Sequence, residues 1–251
     1  MAHNVLINDT SYVVKGGKTL VDGVEHKIKN GRTLVGGTGY DIPFIGKKGL
    51  GEYAEGDIVY IPENGVMAPF YVAKHNYESG LNGSGRTLVV RKDCYDERAW
   101  HSSNVNAWAS CTLRSWLNGD YLNLLDEDIR GVIGTTKYYY TPGNNTTSVT
   151  TRSDAVFLLS HTELGKTAAY ANAEGTALPI ANTLQFAYLN GSRVVQWTRS
   201  PSTMFTDSTY GLDRGGLSNG YYCSHTYGSR PVFTLPENAI FNSDTNEFLP
   251  V

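Results

Sequence analysis

Between residues 57 and 91, apolar and β-branched residues come in short runs broken by turn residues. Asp57-Ile58-Val59-Tyr60-Ile61 and Ala68-Pro69-Phe70-Tyr71-Val72-Ala73 predict two strands, with Glu63-Asn64-Gly65 as the tight turn between them. Thr87-Leu88-Val89-Val90-Arg91 predicts a third. The period then changes. Trp108, Cys111, Thr112, Trp116 and Leu117 fall near helical spacing, with Leu113 on an adjoining face. This predicts an amphipathic helix over Ala107 to Asn118, with Trp108 and Trp116 buried and Asn118-Gly119 as the stop. A second short helix fits Asp126 to Val132, whose first turn carries acids where the helix dipole favours them. Tyr138 to Asp154 is polar and holds Pro142-Gly143-Asn144-Asn145, so a long exposed loop is expected. The continuous apolar run Ala155 to Leu159 predicts a buried strand, and His161 to Gly165 a turn or short helix. Further apolar runs cover Leu184 to Leu189, Val194 to Thr198 and Arg230 to Leu235. Strands, two helices, a long loop and more strands make the expected class α+β, with short strands and much irregular structure.

The first 44 residues contain a repeat. Lys15-Gly16-Gly17-Lys18-Thr19-Leu20-Val21-Asp22-Gly23 returns as Lys29-Asn30-Gly31-Arg32-Thr33-Leu34-Val35-Gly36-Gly37, and Ile7 to Val14 is an earlier partial copy of Val21 to Ile28. Short β-prone runs between Asp-Gly and Gly-Gly pairs predict hairpins, with turns at Asp22-Gly23 and Gly36-Gly37. One such unit has too few apolar residues to bury a face alone. It either packs as a β-meander on the next domain or completes its core by oligomerising. The expected division is 1–44 as a hairpin-repeat segment, 45–56 as a Gly- and Lys-rich linker and 57–251 as one domain.

Composition narrows the function. The net charge is -3 and no stretch concentrates Lys and Arg, which argues against nucleic acid. Tyr (17) outnumbers Phe (8), a bias toward half-wet surfaces and binding patches. Cys94, Cys111 and Cys223 match no metal or disulfide spacing, so free buried thiols are the default; Cys94 and Cys111 could pair only if the fold brought them together. Val5-Leu6-Ile7 is too short for a signal-peptide core, and no apolar run approaches a membrane span. A chain made in the cytoplasm, without membrane insertion, is expected.

A catalytic kit is not evident. The chain has no Gly-x-Ser-x-Gly elbow, no phosphate loop and no His-Glu-x-x-His pair. His161 and Glu163 would share a face on a strand as half of a metal or acid–base site, but a hydrogen-bonded turn is the more ordinary account. Asp126-Glu127-Asp128 lacks the alternating ligands and central Gly of a calcium loop. No catalytic residue, metal or cofactor is assigned.

From about Asp93 onward the chain carries a set of motifs. They are Trp100-His101-Ser102-Ser103-Asn104-Val105-Asn106, Trp108-Ala109-x-x-x-Leu113-Arg114-x-Trp116-Leu117-Asn118-Gly119, and Val156-Phe157-Leu158-Leu159-Ser160-x-x-Glu163. Ala187-Tyr188-Leu189-Asn190-Gly191, Trp197-x-Arg199-Ser200-Pro201 and Gly228-x-Arg230-Pro231-Val232 come next, in that order. Together these resemble a domain common in prophages and gut phages, of the C-type-lectin-like branch that includes formylglycine-generating enzymes and the variable proteins of diversity-generating retroelements. The N-terminal repeats resemble segments that precede such domains in phage tail proteins. The resemblance implies a C-type-lectin-like domain with two helices. The enzymes of that branch use a pair of reactive cysteines; only Cys223 lies in the corresponding region, so that role is not carried over. The calcium triplets of animal C-type lectins are also absent. Arg199 and Arg230, each beside a Pro or Ser-Pro turn, are expected to anchor loops rather than to bind ligand.

The function implied is that of a virion-associated receptor- or ligand-binding protein at a tail or fibre tip, with a host-surface protein or glycan as partner. Its contact surface is expected between Ser202 and Ser229, a span without regular apolar period that mixes rigid aromatics with Ser, Thr, Asp, Asn and Gly. Phe205, Asp207, Tyr210, Asp213, Arg214, Tyr221, Tyr222, His225 and Tyr227 are expected to face solvent together, with Gly215, Gly216 and Gly228 setting the backbone. Retroelement mutagenesis at Asn codons never yields Lys, Glu, Gln, Met or Trp. Only Met204 in this span belongs to that set, where about three such residues would be expected from composition. Two alternatives stay open: an enzyme of the formylglycine-generating or glycan-acting type, and a bacterial surface adhesin. Residues 1–44 are expected to hold a homo-oligomer, a trimer being common in fibres. In light scattering a chain lacking them should be monomeric, and a monomeric full-length chain would defeat the idea.

Overall fold

The computed structural model describes residues 46–250 in full and, before them, the backbone of six strands. These are β1 (His3–Ile7), β2 (Thr10–Val14), β3 (Lys18–Val21), β4 (Val24–Lys27), β5 (Asn30–Val35) and β6 (Thr38–Pro43), paired in order as three antiparallel hairpins. The turn positions Asp22-Gly23 and Gly36-Gly37 lie outside the described residues. The chain divides into two compact units, residues 1–48 with 242–245, and 49–241 with 246–251.

Fifteen further strands complete the chain: β7 (Lys47–Gly49), β8 (Ile58–Glu63), β9 (Val66–Lys74), β10 (Arg86–Arg91), β11 (Asp96–Ala99), β12 (Thr136–Tyr140), β13 (Thr150–Asp154), β14 (Ala187–Leu189), β15 (Ser192–Val194), β16 (Gln196–Pro201), β17 (Ser208–Leu212), β18 (Ser218–Tyr222), β19 (Thr226–Ser229), β20 (Val232–Pro236) and β21 (Ile240–Asn242). One antiparallel sheet of the larger unit has the order β20-β10-β9-β8. Asn64 and Gly65, both at positive φ, make the two-residue turn that joins β8 to β9. A second sheet has the order β11-β19-β16-β17-β18, with the β16–β19 pair parallel. Val89, Val90, Phe70, Phe157 and Phe233 are fully buried in a core that continues through Trp100, Trp108 and Trp197. Each of these indoles has an acceptor for its N–H: Thr198 O at 2.9 Å, Tyr138 Oη at 2.8 Å and Arg98 O at 2.8 Å.

Three buried carboxylates cross-brace this unit, and each accepts hydrogen bonds from an arginine and a tyrosine. Glu63 accepts from Arg91 at 2.8 Å and from the Tyr121 hydroxyl at 2.5 Å. Asp154 accepts from Arg114 and from the Tyr138 hydroxyl. Glu163 accepts from Arg199 at 2.7 Å and from the Tyr77 hydroxyl at 2.5 Å. Burial and the neighbouring carboxylate push all three phenols well above their ordinary range, so each remains a neutral donor.

The α+β expectation, a C-type-lectin-like domain with two helices, is corrected. The fold is mostly β, with 37% strand against 16% helix, and its helices are short and numerous. The helix expected over Ala107 to Asn118 is broken into a 3₁₀ turn Trp108–Ser110, an α-helix Thr112–Trp116, a π turn Leu117–Tyr121 and a last α turn Leu122–Leu124. Asn118-Gly119 does not stop it. The Asn118 side chain accepts from the Ala155 and Val156 amides and donates to Val156 O at 2.8 Å, so tertiary bonds carry the chain past the Gly. The second helix forms as Glu127–Val132. The long polar loop expected over Tyr138 to Asp154 contains the β12–β13 hairpin. Its strands are Tyr- and Thr-rich and partly exposed, so they carry no apolar run. Ala155 to Leu159 is no regular strand: only Phe157 bridges, to Val232, and burial alone explains its apolar run.

Trp108 is fully buried, whereas Trp116, also expected in the core, is half-buried under the Arg98 guanidinium, 3.7 Å from its ring centre. In urea unfolding Trp108→Ala should cost about 3–5 kcal/mol and Trp116→Ala clearly less, about 1–2 kcal/mol. An equal or larger loss at Trp116 contradicts this packing.

Candidate functional site

The span 202–229 is built on the second sheet. β16 is buried along its whole length. Thr198 Oγ1 donates to Tyr210 O at 2.7 Å and Thr209 Oγ1 donates to Ser200 O at 2.8 Å, which ties β17 to β16 through side chains as well as the ladder. The span expected to be loop is therefore largely strand: β17, β18 and β19 run through it, and their Gly, Ser and Thr content hid the period. The β17–β18 turn is set by Asp213, whose Oδ1 accepts from the Gly215 and Leu217 amides at 2.8 and 2.9 Å, and by Gly216 at φ +77°. At Gly228 a Cβ would sit 2.5 Å from Cys94 Sγ and 2.9 Å from Val195 O, so no larger residue fits.

The segment between β16 and β17 is held by a residue that sequence reasoning did not assign. Asn106 is fully buried; its Nδ2 lies 2.8–2.9 Å from the carbonyls of Ser202, Phe205 and Ser208, and its Oδ1 accepts from Asn144 N at 2.8 Å. Ser202 Oγ accepts from the amides of Met204 and Phe205. Asn106 closes the motif that begins at Trp100, and that motif was its only signal.

Six of the nine expected contact residues surround one cavity of about 490 Å³: Phe205, Asp207, Tyr210, Tyr221, Tyr222 and His225. Ser202, Ser208 and Gly220 complete its wall. Phe205 and Tyr222 stand at the rim, 52% and 50% exposed, and Met204 and Leu217 are also exposed. Tyr170, which the sequence did not single out, packs edge-on to Phe205 at 6.2 Å. Three expected residues are not in this cavity. Asp213 spends its carboxylate on its own turn and on Asn219. Arg214 is exposed near that turn's tip. Tyr227 lies behind the cavity, 5.0 Å from Trp197 and 4.7 Å from Tyr221. The expectation that all nine side chains share one exposed face is corrected in one more respect. Tyr210 is 9% exposed and packs on His161 at 5.1 Å, so it forms the floor.

The remaining candidate chemistry is built into the scaffold. Glu163 is neutralised by Arg199 and accepts from Ser160 N at 2.7 Å. His161 is not its partner: its Nε2 is hydrogen-bonded to Ser218 Oγ, and burial lowers its pKa to about 4, so the ring is neutral near pH 7. Arg199 also donates to Leu158 O and Tyr139 O, while Arg230 donates to Arg91 O, Lys92 O and Leu184 O. Both anchor backbone, as expected. Glu174 is fully buried, and burial raises its pKa even though Thr141 N and the Ser200 hydroxyl donate to it. The three cysteines are free and buried, their thiols pushed up to about 12 by burial. Among the described residues no group of three or more His, Cys, Asp or Glu is placed to hold a metal, and no helix is long and apolar enough to cross a membrane.

No curated protein and no solved structure matches the chain. The family model described as Domain of unknown function (DUF6273) matches residues 84–237, from just before β10 to just past β20. That span includes Asn106, the buried Arg199 and every residue of the cavity, and it covers more than half of the chain, which therefore belongs to the DUF6273 family.

Proposed function

We propose that this protein is a recognition module rather than an enzyme, and that it binds its partner through the cavity and rim on the 202–229 face. The observation that carries the reading is the grouping of Phe205, Asp207, Tyr210, Tyr221, Tyr222 and His225 around one opening, on β17, β18 and the segments that flank them, which Asn106 and β16 hold in place. Rigid aromatics among small polar residues are suited to contact, because they offer area at low entropic cost. Exposed Met204, Phe205 and Tyr222 add an apolar rim. Two polar groups nearby are spent on structure, which favours binding over chemistry: Ser202 Oγ accepts from two amides, and His225 Nδ1 is 3.3 Å from the Tyr227 hydroxyl.

The setting proposed is a phage tail or fibre tip facing a host-surface protein or glycan. It is supported by the resemblance of the ordered motifs and of the N-terminal repeats. The test is a comparison of the full chain with a Phe205→Ala/Tyr222→Ala variant on glycan and peptide arrays. Both side chains are half exposed, so the variant should melt within a few degrees of the parent. It should lose at least about tenfold in every specific signal, as expected for central aromatic anchors. Arrays on which the two proteins behave alike, or on which the parent retains nothing, would overturn the reading.

A further inference from the structure

We infer that the cavity takes a lysine or arginine side chain presented by an extended segment of a partner protein. The inference rests on the recognition reading above and narrows it to one chemistry.

The first ground is charge. Four aromatic rings, Phe205, Tyr210, Tyr221 and Tyr222, wall the cavity, and the face of an aromatic ring attracts cations. Asp207 adds a carboxylate to the same wall. Its one side-chain hydrogen bond is from the Ser208 hydroxyl at 2.7 Å, and among the described residues no Lys or Arg stands within ion-pair distance of it. The buried carboxylates of this unit differ from partly buried Asp207: Glu63, Asp154 and Glu163 each have a close arginine, and Glu174 lies 4.0 Å from Arg199. Among the described residues no Lys or Arg lines the cavity. An anionic ligand would meet Asp207 with no fixed cation to offset it, whereas a guanidinium or ammonium completes the arrangement that the interior uses three times.

The second ground is the edge of the sheet. β18 is the last strand in its order, and no described strand pairs with its outer side. Ser218-Asn219-Gly220-Tyr221-Tyr222 carries neither charge nor proline, while the opposite edge, β11, is Asp96-Glu97-Arg98-Ala99. Charges protect an edge from added strands; β11 has that protection and β18 lacks it. Gly220, Tyr221 and Tyr222 of β18 also line the cavity. A segment pairing with β18 therefore brings a side chain to the opening. Main-chain bonds supply affinity and the cavity selects the residue, so the cation belongs to a polypeptide rather than to a free amine.

The experiment is an NMR titration of the full chain, read at the ring signals of Phe205, Tyr221 and Tyr222. The first probe is an acetylated, amidated heptapeptide of Ser and Thr with one central Arg. The second is the same peptide with a central norleucine, and the third is tetramethylammonium chloride. The Arg peptide should shift the rings saturably, and the norleucine peptide should bind at least about fivefold more weakly. Asp207→Asn should remove a similar factor with its amide spectrum otherwise unchanged, and tetramethylammonium should bind more weakly than the peptide. Equal binding of the Arg and norleucine peptides overturns the cation while leaving the recognition face standing. Tetramethylammonium binding as tightly as the Arg peptide overturns the polypeptide source. If no probe moves the rings the inference fails entirely, and the array comparison still judges the recognition reading on its own.

Discussion

The Arg199 guanidinium is buried beyond reach of water, and the rest of the larger unit is arranged around satisfying it. A charge in that position is costly unless it is paired and fully hydrogen-bonded. Here Glu163 supplies both oxygens, and the carbonyls of Leu158 and Tyr139 accept two further bonds. Three segments are fixed at once: β16, which bears Arg199; the stretch from Phe157 to Gly165; and β12. Tyr77, from the turn after β9, reaches the same carboxylate. Because β16 is immobilised in this way, β17 and β19 beside it are also fixed, and β18 is fixed through β17. The face proposed for recognition thus depends on a buried ion pair in the scaffold that carries it.

That arrangement separates the residues that hold the fold from those proposed to recognise a partner. The triads around Glu63, Asp154 and Glu163 are interior and complete. Phe205 and Tyr222 at the rim are half exposed and can change at little energetic cost to the fold. Asn106 is the link between the two layers, buried like the scaffold but bonded to the carbonyls that shape the cavity's wall. A surface that must vary or adapt is best carried on such a frame, since substitutions on it do not disturb the core.

The sequence made some of this plain and concealed the rest. The β8–β9 hairpin was legible because Asn64-Gly65 is a turn signal between two apolar runs. Arg199 and Arg230 were legible as anchors because they sit beside turns within scaffold motifs. The broken helix was not: its apolar positions match helical spacing, but tertiary bonds from Asn118 and from Trp108 to Tyr138 decide the backbone. The abundance of Tyr pointed to a binding surface, yet Tyr77, Tyr121 and Tyr138 are interior donors to carboxylates, and composition cannot tell the two uses apart. The β12–β13 hairpin and the strands of the 202–229 span were missed for one reason: half-exposed strands rich in Thr, Ser, Gly and Tyr show no apolar period. Six of the nine expected contact residues line one cavity, because the span they come from folds as adjoining strands and turns of one sheet. Asp213, Arg214 and Tyr227 fell elsewhere because turn geometry and ring packing are not visible in composition.

The buried pair of Arg199 and Glu163 carries the greatest weight. Its most direct test is equilibrium urea unfolding of Arg199→Leu against the parent chain. Removing the guanidinium leaves the Glu163 carboxyl buried without its cation and the Leu158 and Tyr139 carbonyls without their donor, so a loss of about 3–5 kcal/mol is expected at neutral pH. A loss below about 1 kcal/mol would mean that the pair does not organise β16, and that the 202–229 face is held in some other way.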